Sequence, residues 1–278
     1  MVAFPLPREA VEAGYRVIGF DSVGSTNDEA MEAARAGDAG RLWVAALQQT
    51  KGRGRRGRPW QSPHGNLAAS LLIVPDSPPE SLASLGFVAG VALNGALAQL
   101  APRMRLVSGI DGADGAEGGS VARIALKWPN DVLADGAKLA GIMLEAQTRP
   151  DGTRAVVIGF GVNVVAAPQD TPYPATSLAA LGFPFGAETV FEALVSQWIE
   201  CYELWQQGNG TAAIIARWRE SAAGIGAEVS VKRDGDVVRG IFETIDDAGH
   251  LIVREPDGRR IAIAAGDVHF GATATLRD

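Results

Sequence analysis

The 278-residue chain holds one cysteine, Cys201, and can close no disulfide within itself. That excludes a disulfide scaffold and suits a reducing compartment, so the sequence reads as cytoplasmic. Aromatic residues are few (6%), and the three histidines, 64, 250 and 269, are too scattered to suggest a zinc site built by the protein. Apolar runs are broken by Gly, Asn or charge before the roughly 20 residues a membrane span needs. Met1–Glu12, with two prolines and two acids, lacks the apolar core of a signal peptide. Core-forming material is abundant: 47% hydrophobic and 21% charged residues exclude a disordered or collagen-like chain. The length suits one large domain, or a large one with a small one.

Positive charge is scarce overall but locally dense. The net charge is −7, from 25 Lys+Arg against 32 Asp+Glu, which argues against general nucleic-acid affinity. Yet Lys51, Arg53, Arg55, Arg56 and Arg58 lie within eight residues; without them 20 bases would face 32 acids, a charge of −12. Such a concentration in an acidic chain implies a specific anion.

Periodicity and turn chemistry predict the elements. Tyr15–Phe20 alternates as a strand and ends at a turn, Asp21–Gly24. Ser25 or Thr26 then caps a helix, Thr26 and Glu29 having capping-box spacing. Leu42–Leu47 and Asn66–Val74 read as strands, and Ser81–Leu100 as an amphipathic helix with Leu82, Leu85, Ala89, Leu93, Leu97 and Leu100 on one stripe. Val107–Gly119 lacks periodicity and reads as a mobile surface loop. Strands follow at Ala122–Trp128, Lys138–Ala146 and Arg154–Val164, with hairpin signals at Ala134–Gly136 and Pro150–Gly152. Helices are predicted over Glu188–Gln207 and Thr211–Ala222. From Gly226 the texture changes to four short strands, Ala227–Lys232, Val238–Ile245, His250–Arg254 and Arg259–Ala264. Asp234-Gly235, Ala248-Gly249 and Asp257-Gly258 separate them. This spacing predicts a small all-β barrel, which at about 50 residues should lean on the main domain for stability.

Three segments carry polar chemistry. In Gln48–Trp60, Gly52, Gly54 and Gly57 match the dinucleotide fingerprint, but Arg58-Pro59 and Pro63 prevent the helix that motif must open. Walker A spacing fails too, because Arg58-Pro59 replaces Lys-Ser/Thr. Either a guanidinium-rich loop closing over phosphates or a solvated basic loop remains. In Ala125–Ile142, Lys127-Trp-Pro-Asn-Asp131 places polar groups at a strand end, and Lys138 sits beside small Ala140 and Gly141; an ordinary hairpin also accounts for this. In Gly159-Phe-Gly161-Val-Asn163, glycines within an apolar strand permit close approach of a ligand or backbone, or mark a bulge or packing site.

Together these segments resemble the biotin protein ligase family. The resemblance rests on Ser25-Thr26-Asn27, Gln49 before Gly52-Arg-Gly-Arg-Arg-Gly57, His64-Gly65-Asn66-Leu67, Lys127-Trp-Pro-Asn-Asp131, Lys138-Leu-Ala-Gly141 and Gly159-x-Gly-x-Asn163, in family order over about residues 15–270. The glycine-rich insertion between Arg105 and Ala122, and Pro59 where basic residues are common, depart from the pattern.

The resemblance implies an α+β fold: a class II aminoacyl-tRNA synthetase-like mixed β-sheet catalytic domain over residues 1–225, then an SH3-like β-barrel over 226–278. It implies formation of biotinyl-5′-AMP from biotin and MgATP, then biotin transfer to a lysine of a biotin carboxyl carrier domain, such as that of acetyl-CoA carboxylase. Lys138, Arg55 and Asp131 are the implied catalytic residues. Ser25, Thr26, Asn27, Gln49, Arg53, Gly54, Arg55, Lys138 and Gly141 would bind biotin. Arg53, Arg55, Arg56, Trp60, Asn130, Lys138 and Asn163 would bind ATP, with Trp60 stacking on adenine. Mg²⁺ would come with ATP, and its protein ligands are not specified. Only about 14 residues precede the first strand, so the DNA-binding module of some members, its repressor activity and DNA as a partner are not expected. Lipoate ligation on a related fold, a nucleic-acid-binding regulator and an inert biotin-binding module are the competing functions. Cys201, which a thiol-dependent acyl transferase would need, lies in a helical run and reads as packing.

Overall fold

The computed structural model describes residues 2–100, 105–106, 122–169, 171, 173–233 and 236–270. The loop expected at Val107–Gly119 and the turn at Asp234-Gly235 lie outside these. Eight strands form the larger sheet: β1 (Arg16–Phe20), β2 (Leu42–Ala46), β3 (Leu67–Ile73), β4 (Arg105–Leu106), β5 (Arg123–Lys127), β6 (Asp131–Ala134), β7 (Ala137–Thr148) and β8 (Arg154–Val162). Their order is β1-β2-β3-β8-β7-β6-β5-β4, parallel at the β1–β2 and β4–β5 pairs and antiparallel elsewhere. The sheet is mixed, as expected. Asp135 and Gly136, both at positive φ, turn β6 into β7 at the predicted hairpin site.

Alternation along β8 sorts its side chains to two faces. Val156, Ile158, Phe160 and Val162 join the main core, whereas Ala155 and Val157 join a second cluster with Ala30, Ala34, Leu42, Val44 and Leu72. Helices α3 (Leu85–Leu100), α4 (Ala187–Trp205) and α5 (Thr211–Glu220) contribute to the first face; α2 (Thr26–Arg35) covers part of the second, and a five-residue α1 (Arg8–Glu12) precedes β1. Trp43 lies at the centre of the main core. Its ring centroid is 5.7 Å from Phe160, 5.5 Å from Phe191 and 6.5 Å from Trp198, contacts that add to the burial of large apolar area.

Of two candidate caps the structure selects one, and the expectation for the next helix needs correction. Ser25, not Thr26, caps α2, and its Oγ accepts from the Asp28 N–H at 3.3 Å, because Thr26 turns inward and is buried. The helix expected from Ser81 opens as a 3-10 segment, Pro79–Ser84, and α3 is not amphipathic. Phe87, Val88, Gly90, Ala92, Asn94 and Ala96 are buried along with the leucine stripe, since the sheet, α4 and α5 enclose it. Pro79–Leu100 is apolar and long enough to cross a membrane by composition, contrary to the expectation that no run is; two thirds of its most apolar stretch is buried inside the protein.

The smaller sheet contains β9 (Glu228–Arg233), β10 (Asp236–Ile245), β11 (Leu251–Arg254), β12 (Arg260–Ile263) and β13 (Asp267–Phe270), antiparallel in the order β12-β11-β10-β9-β13. It leans on the larger unit, as its size demands. The Trp128 indole N–H donates to the Gly249 carbonyl at 3.0 Å, and Arg219 Nε donates to the Ile245 carbonyl at 2.5 Å. The fifth strand, β13, is the one the turn spacing misses. It carries residues into the cavity between the two units.

Candidate active site

A cavity of about 550 Å³ opens over the β7–β8 face opposite the main core. Its floor exists because the strands lack side chains there. Gly141 pairs with Gly161, and Met143 with Gly159, in the β7–β8 register. A Cβ on Gly159 would fall on Asn27 Oδ1, and one on Gly161 would lie 2.5 Å from the Trp60 indole. Close approach is thus what these glycines provide, and the neighbours that approach are Asn27 and Trp60.

At one end the start of α2 supplies buried polar groups. The Thr26 backbone N–H and hydroxyl both donate to Gln49 Oε1, at 2.8 and 3.1 Å. Ser70 Oγ, wholly buried on β3, lies 2.7 Å from Thr26 Oγ1 and 2.6 Å from Asn27 Oδ1. Asn27 Nδ2 donates to Glu145 Oε2 at 2.7 Å. Polar atoms this deep need partners, and the network supplies them while its members Thr26, Asn27 and Gln49 still line the cavity.

The basic loop forms the lid-side wall. It is not an extended solvated loop but a small hairpin: the Trp60 N–H donates to the Gly52 carbonyl at 2.9 Å, and the Gly54 N–H to the Arg58 carbonyl at 2.7 Å. Its arginines are dispersed to different partners. Arg53 pairs with Asp28, Arg55 donates to Asn130 Oδ1 at 3.0 Å, and Arg56 and Arg58 both reach Asp267 Oδ2, at 3.0 and 2.7 Å. Burial pulls the Arg55 guanidinium below its ordinary value, yet an arginine remains cationic. Burial would raise Asp267, but Arg58, Arg56 and Arg55 together hold it below the usual carboxylate value.

At the other end, cations gather where β5, β6 and β7 meet. Lys138 Nζ lies 2.7 Å from Asp131 Oδ1, between the rings of Trp60 and Tyr173, with centroids at 5.5 and 5.4 Å. Register places Lys127 opposite Asp131, and its ammonium sits 5.4 Å from the Phe270 centroid. Burial lowers the Lys127 pKa, and Lys138 adds to that. Burial and the nearby Lys127 also lower His269. Asn163 is 1% exposed; its Nδ2 donates to the Thr176 carbonyl at 3.1 Å, but its Oδ1 has no hydrogen-bond partner among the described residues.

Of the residues named from sequence, Ser25, Thr26, Asn27, Gln49, Arg53, Gly54, Arg55, Trp60, Asn130, Asp131, Lys138, Gly141 and Asn163 all line this cavity. Arg56 does not; it is turned to Asp267. Trp60 lies across the glycine floor, beside Gly141 and Gly161. Sequence reasoning missed Tyr173, Asp267 and His269 on the cavity wall, and Ser70 and Glu145 behind it. No motif marks these positions. Cys201 is buried on α4, outside the cavity lining, and burial pushes its thiol up to about 11, as the packing interpretation expects.

A cavity that has a buried amide–hydroxyl cluster on one side and ammonium and guanidinium groups on the other is suited to holding a small molecule with a polar head and an anionic tail. Comparison with known proteins identifies the family. Residues 20–163 match the family model described as the biotin/lipoate A/B protein ligase family, and residues 224–271 match that of the biotin protein ligase C-terminal domain. A biotin--[acetyl-CoA-carboxylase] ligase of Paracoccus denitrificans is 38% identical over 257 residues, covering 89% of this chain and 97% of that protein. One from Mycobacterium tuberculosis is 35% identical, with 88% and 85% covered. The solved structure of an Aquifex aeolicus biotin protein ligase in complex with biotin and ATP shares the fold, with a TM-score of 0.74 and 22% identity over 92% of this chain and 99% of that one. With residues 20–163 and 224–271 matched to these family models and 97% of the Paracoccus protein covered at 38% identity, the chain belongs to the biotin protein ligase family.

Proposed function

We propose that this protein joins biotin to ATP, forming biotinyl-5′-AMP and pyrophosphate, and then passes the biotinyl group to a lysine of a biotin carboxyl carrier domain, such as that of acetyl-CoA carboxylase, releasing AMP. Residues 1–225 would form the catalytic unit, related to class II aminoacyl-tRNA synthetases, and residues 226–278 an SH3-like unit. The observation that carries this reading is the polarity of one cavity, hydrogen-bonding at the Thr26–Asn27–Gln49 end and cationic at the Lys138–Arg55 end.

The first step brings two anions together. Unit charges about 4 Å apart repel by ~4 kcal/mol at an effective dielectric near 20, a rate factor of about a thousand if uncompensated. The site therefore needs fixed positive charge and alignment more than a base. Lys138 would sit between the biotin carboxylate and the α-phosphate, and Arg53 and Arg55 would bind carboxylate and phosphate oxygens, joined by Arg56 once the loop moves it from Asp267. Closing that loop would keep water from the mixed anhydride. Ser25, Thr26, Asn27 and Gln49 would bind the ureido ring, and Gly54 and Gly141 would let biotin approach the backbone. Such polar groups reject an analogue that leaves them unpaired.

ATP suits the remaining groups. Asn163 Oδ1 is a buried acceptor in want of a donor, which an adenine amino group would supply, and Asn130 and Trp60 line the same cavity. Among the described residues no three His, Cys, Asp or Glu side chains converge on one point; Mg²⁺ would arrive with ATP, held chiefly by phosphate oxygens. Asp131 holds Lys138 in this structure. As Lys138 turns to the phosphate, the Asp131 carboxylate would be released to orient the incoming lysine amine.

The test is incubation with biotin, MgATP and an apo carrier domain, followed by intact mass of the carrier. A mass increase of one biotinyl group is the expected result. An unmodified carrier, or modification only when lipoate replaces biotin, would overturn the proposal.

A further inference from the structure

We infer that Glu145, which does not line the cavity, is a positioning residue that fixes which end of the Asn27 side-chain amide faces its ligand. The inference rests on the reading that Asn27 touches the ureido ring. An amide's oxygen and nitrogen are nearly identical in shape, so only partners decide their placement. Asn27 is 5% exposed, and its contacts leave it little choice. Its Nδ2 donates to Glu145 Oε2 at 2.7 Å, and its Oδ1 lies 2.6 Å from the Ser70 hydroxyl. A carboxylate only accepts, whereas a hydroxyl can donate; the flipped amide would set its oxygen against the Glu145 carboxylate. Gly159 lies against the same amide, so the group stays where a cyclic urea would meet it. The orientation leaves one Nδ2 hydrogen and one Oδ1 lone pair for a ligand, a donor and an acceptor matched to a urea carbonyl and N–H.

The same carboxylate sits 4.0 Å from Arg53 Nη1. Glu145 therefore stands where the ring-recognition network adjoins the arginine loop, on the strand that also bears Lys138. Replacing it by glutamine keeps the shape but allows the new amide to donate as well as accept, so Asn27 loses its enforced orientation.

A double-mutant cycle tests this by the biotin dissociation constant of wild type, Glu145→Gln, Asn27→Ala and the double variant, with melting temperatures alongside. Glu145→Gln should weaken biotin about tenfold, the scale of one charge-assisted hydrogen bond, while melting within a few degrees of wild type. The double variant should bind no more weakly than Asn27→Ala. Unchanged affinity in Glu145→Gln, or losses that add in the double variant, would overturn the inference while leaving the ligase reading intact. A wild-type protein that does not bind biotin would overturn both. Should Glu145→Gln not fold, Glu145→Asp, which withdraws the carboxylate by one methylene, carries the same cycle.

Discussion

The two faces of strand β8 are built from one alternating sequence and behave as different materials. Towards α3 and α4 the strand presents Val156, Ile158, Phe160 and Val162, all at most 2% exposed and in the core that holds Trp43. Towards the cavity, at the alternate positions, it presents Gly159 and Gly161, whose missing side chains admit Asn27 and Trp60. Bulk on one face gives stability; its omission on the other gives room. A single strand therefore holds the site rigidly because its opposite face is locked in the core.

This contrast can be broken from either side. The largest effect on chemistry should come from Lys138→Ala, which removes the ammonium paired with Asp131 in the cavity: biotin-dependent pyrophosphate exchange should fall by about a thousandfold, with the circular dichroism spectrum unchanged. Equal exchange rates would remove Lys138 from its assigned role. On the core face, Trp43→Ala should cost about 3–5 kcal/mol of stability by leaving a cavity among Phe160, Phe191 and Trp198, measured by denaturant unfolding. Gly161→Ala should do the reverse of Trp43→Ala. It should displace Trp60 and weaken biotin binding more than tenfold, an order-of-magnitude expectation for a misplaced wall, while melting changes little.

Smaller effects should come from the contact between the two sheets. Asp267→Ala removes a carboxylate shared by two half-exposed arginines, and such pairs are worth about 0–1 kcal/mol each. Stability should drop slightly, and the arginine loop should become easier for protease to cut. The pH dependence has a definite sign. Asp267 is held below its ordinary 3.8, so its contribution is complete above that value and is lost as pH falls through the lower folded-state value. His269, held below 6.5, is favoured as the neutral imidazole in the fold; stability should therefore begin to fall as pH drops below about 6.5. A melting temperature flat from pH 7 to 4 in wild type, or an unchanged slope in His269→Gln, would contradict this.

The strands β1, β2, β3, β5, β7 and β8 could be read from alternation, and the Asp135-Gly136 turn from its chemistry, because these are local properties of the chain. Most of the cavity lining was legible as well, from motifs whose residues are short-range neighbours. What escaped was short or non-local. The strands β6 and β13 escaped, although β11 and β12 of the same length were read from the turns that bound them, and α3 looks one-sided until its other neighbours surround it.

The order of polar and apolar residues alone determined where strands and helices run, and placed Lys138, Arg55, Asn27 and Gln49 at their ends. Only the tertiary structure decided that Asp267 and His269, more than 100 residues away, would close the cavity wall, and that Glu145 would stand behind Asn27. The reason is that hydrogen bonds and ion pairs act through space at about 3 Å, and nothing in the spacing of a sequence reveals which distant groups folding will bring within that reach.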